Sequence, residues 1–139
     1  MTRKTDVDVA YENASAKAEL GARTNISNQM KADIFISIHI NAMWQPIYNG
    51  ISTYWYKKKD YDLAKDIQKA LIKNLGRKNK GIIRERFYVL RTANAPSALL
   101  ELMFISNPEE CKLLQDEKYR QKVAEAIAEG LSDYAKNNE

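Results

Sequence analysis

Two polar side chains interrupt apolar runs in this sequence, and both are of types that do chemistry. His39 is the only histidine in the chain and stands near the end of Ala32-Asp33-Ile34-Phe35-Ile36-Ser37-Ile38-His39-Ile40-Asn41-Ala42. An imidazole changes charge near neutral pH and is a common metal ligand. Glu101 stands inside a second run, Ala95-Pro96-Ser97-Ala98-Leu99-Leu100-Glu101-Leu102-Met103-Phe104-Ile105-Ser106-Asn107. Apolar surroundings disfavour a carboxylate's charge and raise its pKa, which suits a group that takes up and returns a proton near neutrality. Each residue also has a plainer reading. His39 could hydrogen-bond a neighbouring carbonyl, and Glu101 could pair with an arginine or point out of its strand. Two such groups on two apolar segments are harder to dismiss together, and they are expected to meet in one site.

The segments that must position them read as strands. Ile34, Phe35, Ile36 and Ile38 are β-branched or aromatic and show no helical period, which predicts a strand buried on both faces of a sheet. Ligands in open α/β sheets sit outside the carboxyl ends of the strands, where His39 and Asn41 emerge. Upstream, Thr2 to Val9 reads as a strand end running into a loop with Asp6 and Asp8. A helix from about Tyr11 to Met30 follows, with Ala14, Ala18, Ala22, Ile26 and Met30 as the stripe facing the sheet. Met43 to Asn49 is a loop over the site, in which Trp44 and Tyr48 either stack on a sugar or peptide or cap the sheet. Gly50 to Tyr56 alternates as a strand does, and Lys57-Lys58-Lys59 reads as a solvated turn. Leu63, Ile67, Leu71 and Leu75 mark a helix from Tyr61 that Gly76 stops. Arg77 to Arg86 is expected to cross a surface, and Phe87 to Leu90 to form a short strand leading Arg91 and Asn94 to the same mouth as Glu101. Asn107-Pro108-Glu109-Glu110 has the residues of a helix start. A last helix, from about Lys118 to Ala135, places Tyr119, Val123, Ile127 and Leu131 on one side. The alternation predicts a single α/β domain over residues 1–139: a mixed, mostly parallel sheet with helices on both faces.

The order Thr2-Arg3 with Asp6, Leu20 to Arg23 with Asn28, Phe35 to Ala42, Gly50-Ile51 with Tyr54 to Tyr56, Val89-Leu90-Arg91 and Leu100 to Asn107 resembles the zinc-dependent N-acetylmuramoyl-L-alanine amidases of the amidase-3 type. It runs from the first residues to about Tyr134. The resemblance implies a phosphorylase/hydrolase-like α/β fold, and cleavage of the amide between N-acetylmuramic acid and L-alanine of the peptidoglycan stem. It also implies His39 as a zinc ligand, Glu101 as the catalytic carboxylate, and Asn41 and Arg91 as groups holding glycan or peptide. The place of action would be the cell wall or the extracellular space. The family's opening strand with its His-Gly-Gly turn, and the glutamate on the following helix, have no counterpart here. Both residues bind zinc in that family, so the resemblance implies that this strand-helix-strand lies upstream of Met1. On that count the chain alone would bind zinc poorly, would turn over little and could dimerise or swap elements. Glu12, Glu19 and Asp33 lack the spacing of substitute ligands. The alternative is a non-catalytic peptidoglycan-binding or regulatory module derived from such an amidase.

Composition bounds these readings without choosing among them. The 139 residues, 45% hydrophobic and 29% charged, suit one folded domain with a core of its own. A formal net charge of +4 suits an anionic partner, but no nucleic-acid-binding motif accompanies it and no nucleic-acid partner is expected. The single cysteine, Cys111, cannot form an internal disulfide. No apolar stretch is long enough to span a bilayer, and the residues after Met1 are polar rather than the apolar core of a signal peptide.

Overall fold

The computed structural model describes Met1, residues 9–11 and residues 14–138. The expected first strand end, with Arg3, Asp6 and Asp8, lies outside the described residues, as does Glu12. In chain order the elements are α1 (Ala16–Gln29), β1 (Phe35–Asn41), β2 (Ile51–Trp55), a 3-10 turn (Lys58–Asp60), α2 (Tyr61–Leu75), β3 (Asn79–Arg84), α3 (Tyr88–Thr92), β4 (Ser97–Phe104), α4 (Pro108–Gln115) and α5 (Glu117–Asn137). Four strands make one sheet in the order β1-β4-β2-β3. β1 and β4 run parallel, β2 and β3 run parallel, and the antiparallel pairing of β2 with β4 joins the two pairs. The expected mixed, mostly parallel sheet is therefore present.

Helices cover both faces. On one, α2 and α5 bury Leu63, Ile67, Leu71, Val123 and Ile127 against Ile51, Leu100, Leu102 and Met103 of the sheet. Each large apolar side chain so buried contributes about 1.5–3 kcal/mol. α2 supplies the predicted stripe of Leu63, Ile67, Leu71 and Leu75 and ends at Gly76, whose φ of 60° closes the helix in the left-handed region. α5 approaches α2 so closely at Gly130 that a Cβ there would lie 2.6 Å from Ile67 Cα. On the other face, Phe35 and Leu99 pack with Val89, Leu90, Ala93 and Ala95 around α3, and Leu20 of α1 closes over them.

Four local expectations are corrected. Among the described residues β1 is the outermost strand on its side of the sheet, and Ile38 and Ile40 are 59% and 47% exposed there instead of buried on both faces. Their face is the one α2 and α5 cover farther in, and the helices do not reach the margin. The Arg77 to Arg86 stretch contains a strand, β3, at the opposite edge. Its lysine, arginine and glycine content, which reads as surface loop, is what an edge strand tolerates. Phe87 to Leu90 is not a strand. After an extended Phe87 the chain closes into α3, with Arg91 N donating to Phe87 O at 3.0 Å and Thr92 Oγ1 to Tyr88 O at 2.9 Å. Finally, α1 does not bury its alanine and isoleucine stripe: Glu19, Thr24 and Ser27 are buried and Met30 is 74% exposed. Its neighbour is α3, and the contact is polar. Thr92 Oγ1 lies 3.2 Å from Thr24 Oγ1, and Asn28 donates to Thr92 O and accepts from Asn94 N.

Candidate functional site

β1 and β4 pair in register from Phe35 with Ser97 to His39 with Glu101. Neighbouring residues of a parallel ladder share a face, so imidazole and carboxyl stand side by side. Ser52 of β2 pairs with Glu101 from the other flank, which places Glu101 in the middle of the sheet. Apolar residues on either side in sequence force this strand inward and take the carboxyl with them. One oxygen, Glu101 Oε2, is buried and has no hydrogen-bond partner among the described residues. Burial raises the pKa of this carboxyl. Among the described residues no ion pair includes Glu101.

His39 is partly exposed. Its Nε2 lies 3.0 Å from Ser37 Oγ, two residues earlier on the same face of β1. A cleft of about 290 Å³ along β1 is lined by Met1, Arg23 and Phe35 to His39. Arg23 is the cation that reaches this cleft. It is held there by a 2.9 Å ion pair to Glu19, whose carboxylate also accepts from Val9 N and Ala10 N. Burial alone would raise the Glu19 pKa, but these hydrogen bonds and Arg23 bring it below the usual value. The sequence offered this pair only as an i, i+4 spacing on a helix.

The remaining candidates separate. Asn41 stands on the His39 face of β1, two residues on. Its Oδ1 accepts from Ala42 N at 2.8 Å, and its carbonyl accepts from Ile105 N at 2.9 Å. Arg91 does not line the His39 cleft. It is exposed on α3 with its guanidinium 5.3 Å from the Tyr88 ring, because the segment coils into a helix instead of extending toward the mouth. In the loop after β1, Trp44 is 88% exposed, whereas Tyr48 stacks on Phe104 at 6.3 Å and so caps the end of β4. Lys57 leaves the solvated lysine run and is half-buried, donating to Leu90 O, Ser97 Oγ and Asp60 Oδ2.

Among the described residues no three histidine, cysteine, aspartate or glutamate side chains come together as a metal-binding set. The donors this face offers are the imidazole of His39 and the orphaned oxygen of Glu101. An imidazole and a carboxyl on neighbouring strands are groups of the types that bind metal ions and move protons. The fold defines a class, that of mixed α/β domains whose mostly parallel sheet is covered by helices on both faces.

The chain belongs to the Amidase_3 family, N-acetylmuramoyl-L-alanine amidase, whose pattern it matches over residues 1–133. It is 38% identical over 144 residues to the germination-specific N-acetylmuramoyl-L-alanine amidase of Bacillus subtilis, covering 96% of this chain and 60% of that protein. It is 39% identical over 105 residues to the probable cell wall amidase LytH of Staphylococcus epidermidis, covering 76% of this chain and 36% of that protein. Among solved structures, the CwlD amidase of Clostridioides difficile, determined in complex with the GerS lipoprotein, superposes with a TM-score of 0.87 at 34% identity over 97% of this chain and 74% of that one. The catalytic domain of CwlV from Bacillus (Paenibacillus) polymyxa gives 0.81 at 32% identity over 84% and 65%. The chain thus spans about one third to three fifths of the length of these curated relatives.

Proposed function

We propose that this chain supplies part of the active site of a peptidoglycan amidase that cleaves the amide joining the lactyl group of N-acetylmuramic acid to L-alanine. The observation that carries the reading is the register pairing of His39 with Glu101, whose buried Oε2 has no partner. Glu101 is the general base and acid. Its raised pKa lets it accept a proton from the attacking water and return one to the leaving amine. His39 is the ligand this chain offers to zinc, with Ser37 at its Nε2 as the contact that sets the ring's orientation. When bound, zinc supplies the Lewis acidity that polarises an amide carbonyl and acidifies water. His39 fits one position of such a site, and further ligands must join it. Asn41 and Arg23 are the polar groups nearest His39 suited to hold glycan or peptide, with Arg91 displaced to α3. The relatives' names suggest action at the cell wall, and the domain is read as one unit over residues 1–139. No helix among the described residues is long and apolar enough to cross a membrane.

The test is release of new L-alanine amino termini from purified cell wall, abolished by chelator, restored by zinc and lost in Glu101→Gln. Release of reducing sugar instead would make the activity that of a glycosidase and defeat the reading. Retention on insoluble wall with no amine released under any metal condition would leave a non-catalytic wall-binding module.

A further inference from the structure

Between Glu101 and the end of β4 the ladder to β1 slips. His39 pairs with Glu101, but the next partners are Asn41 and Phe104, so three steps along β4 match two along β1. The extra residue is taken up by a β-bulge, and Met103 inside it has a φ of 67°. A fully buried methionine in the left-handed region is a backbone state that surrounding structure must impose. Bulges re-aim neighbouring side chains and end pairing, and this one begins immediately after the candidate general base.

The imposing group is Glu110. As the third residue of α4 it has the position from which a glutamate usually turns back to its own helix cap. Here the cap is made by Asn107, whose Oδ1 accepts from Glu110 N at 3.1 Å, and the Glu110 carboxylate turns inward instead. It is fully buried. Oε2 accepts from Phe104 N at 2.8 Å, directly after the bulge, and Oε1 accepts from Gly50 N at 2.9 Å, just before β2. Arg77 closes the charge, donating from Nε to Glu110 Oε1 at 3.2 Å and from Nη1 to the exposed Glu109 at 2.7 Å. One carboxylate therefore pins the two strands that flank the Glu101–Ser52 pair. Only glycine fits at position 50: its φ is 107°, and a Cβ there would lie 2.5 Å from Lys78 O.

We infer that Glu110, backed by Arg77, is a positioning residue that holds the Met103 bulge and thereby sets where Glu101 stands against His39. The inference rests on the reading above only in calling Glu101 the reacting group. Its test therefore uses the site's geometry and not turnover, so that a chain without amidase activity still answers it.

The chain's single histidine gives one set of imidazole signals, and these report on the site by two-dimensional NMR of the full chain. In Glu110→Gln the amide oxygen can keep Gly50 N and Arg77, but the amide nitrogen then faces Phe104 N, donor against donor. Loss of a charge-assisted hydrogen bond predicts Phe104 amide exchange faster by about tenfold or more. It also predicts a displaced His39 ring signal. Glu109→Gln, which touches only the outer side of Arg77, should leave the His39 signal where it is. If Glu110→Gln does not fold, Arg77→Gln carries the test, with a smaller displacement in folded protein. The double variant should displace the signal no further than Glu110→Gln alone, since both act through one network. An unmoved His39 signal in whichever of Glu110→Gln and Arg77→Gln folds would overturn the inference and leave Glu110 with a purely stabilising role.

Discussion

Replacing Glu101 by Gln keeps the shape of the side chain and removes its ionisation, so the variant isolates the cost of a charge at this position. In the folded chain burial raises the carboxyl's pKa and its Oε2 lacks a partner among the described residues. The native state therefore holds this proton to higher pH than the unfolded chain does. By linkage, stability falls as pH rises from the unfolded-state pKa through the native one, and the deficit persists at neutral pH. A fully buried unsatisfied polar group costs about 1–3 kcal/mol. This carboxyl is only half-buried, and solvent screening brings the expected penalty to about 1 kcal/mol. Wild type and Glu101→Gln should therefore unfold alike below about pH 4, with the variant more stable by about 1 kcal/mol near pH 7, or about 4 °C in Tm. Urea unfolding at both pH values, followed by tryptophan fluorescence, measures this. A loss of about 3–5 kcal/mol in the variant would reveal a buried ion pair that the substitution had broken and would refute the reasoning. Equal stability of the two proteins across the whole pH range would remove desolvation as the cause.

Gly130→Ala gains about 1 kcal/mol of helix propensity but drives a Cβ into Ile67 Cα at 2.6 Å. The expected net result is a loss of about 1–3 kcal/mol, read as a lower Tm, and a rise would mean α2 and α5 do not cross this closely. Lys57→Met removes the cation from the fully buried Asp60. Because Asp60 keeps its bonds from Ser97 N and Lys57 N, the loss should be about 2–3 kcal/mol by chemical denaturation, and no loss would make the pair incidental. The Glu19 carboxyl sits below its usual pKa, so its stabilisation is present above the unfolded-state value and lost as pH falls through the native one. Glu19→Gln should flatten the acid limb of the stability profile, and an unchanged limb would count against the Arg23–Glu19 anchor.

The parts of this fold that can be read from sequence are those whose local pattern and tertiary role agree. Leu63, Ile67, Leu71 and Leu75 recur at helical spacing and face the core. The run around Glu101 is apolar because β4 is central and covered on both sides. His39 and Glu101 are visible because each is a polar residue where the pattern asks for an apolar one. The misreadings occur where neighbours, not pattern, decide. Among the described residues β1 and β3 are the outer strands, so one carries isoleucines to the surface and the other resembles a loop. α1 meets α3 and the residues after it through Thr24 and Asn28, a polar contact that hydrophobic periodicity cannot register. Arg91 reaches the mouth only from an extended segment, and the short helix α3 holds it away. Glu110 has the spacing of a capping residue, and only the bulge beside it explains why its carboxylate turns inward.

β4 is the last of the four strands in the sequence and lies between β1 and β2 in the sheet. During synthesis, β1 therefore emerges more than fifty residues before its partner, and β2 and β3 pair without their antiparallel neighbour. Among the described strands, β1 and the β2–β3 pair are joined only once β4 has been made. Two separate pieces must wait for a late insert, a non-local closure that slows folding and leaves the isoleucines of β1 accessible to other chains meanwhile. A nascent chain stopped before Ser97 should accordingly be recovered with chaperones or in the insoluble fraction. Substitutions that weaken β4 should lower the yield of folded protein before they lower the activity of the molecules that fold, so the strand carrying the candidate base also gates how much of the protein is made.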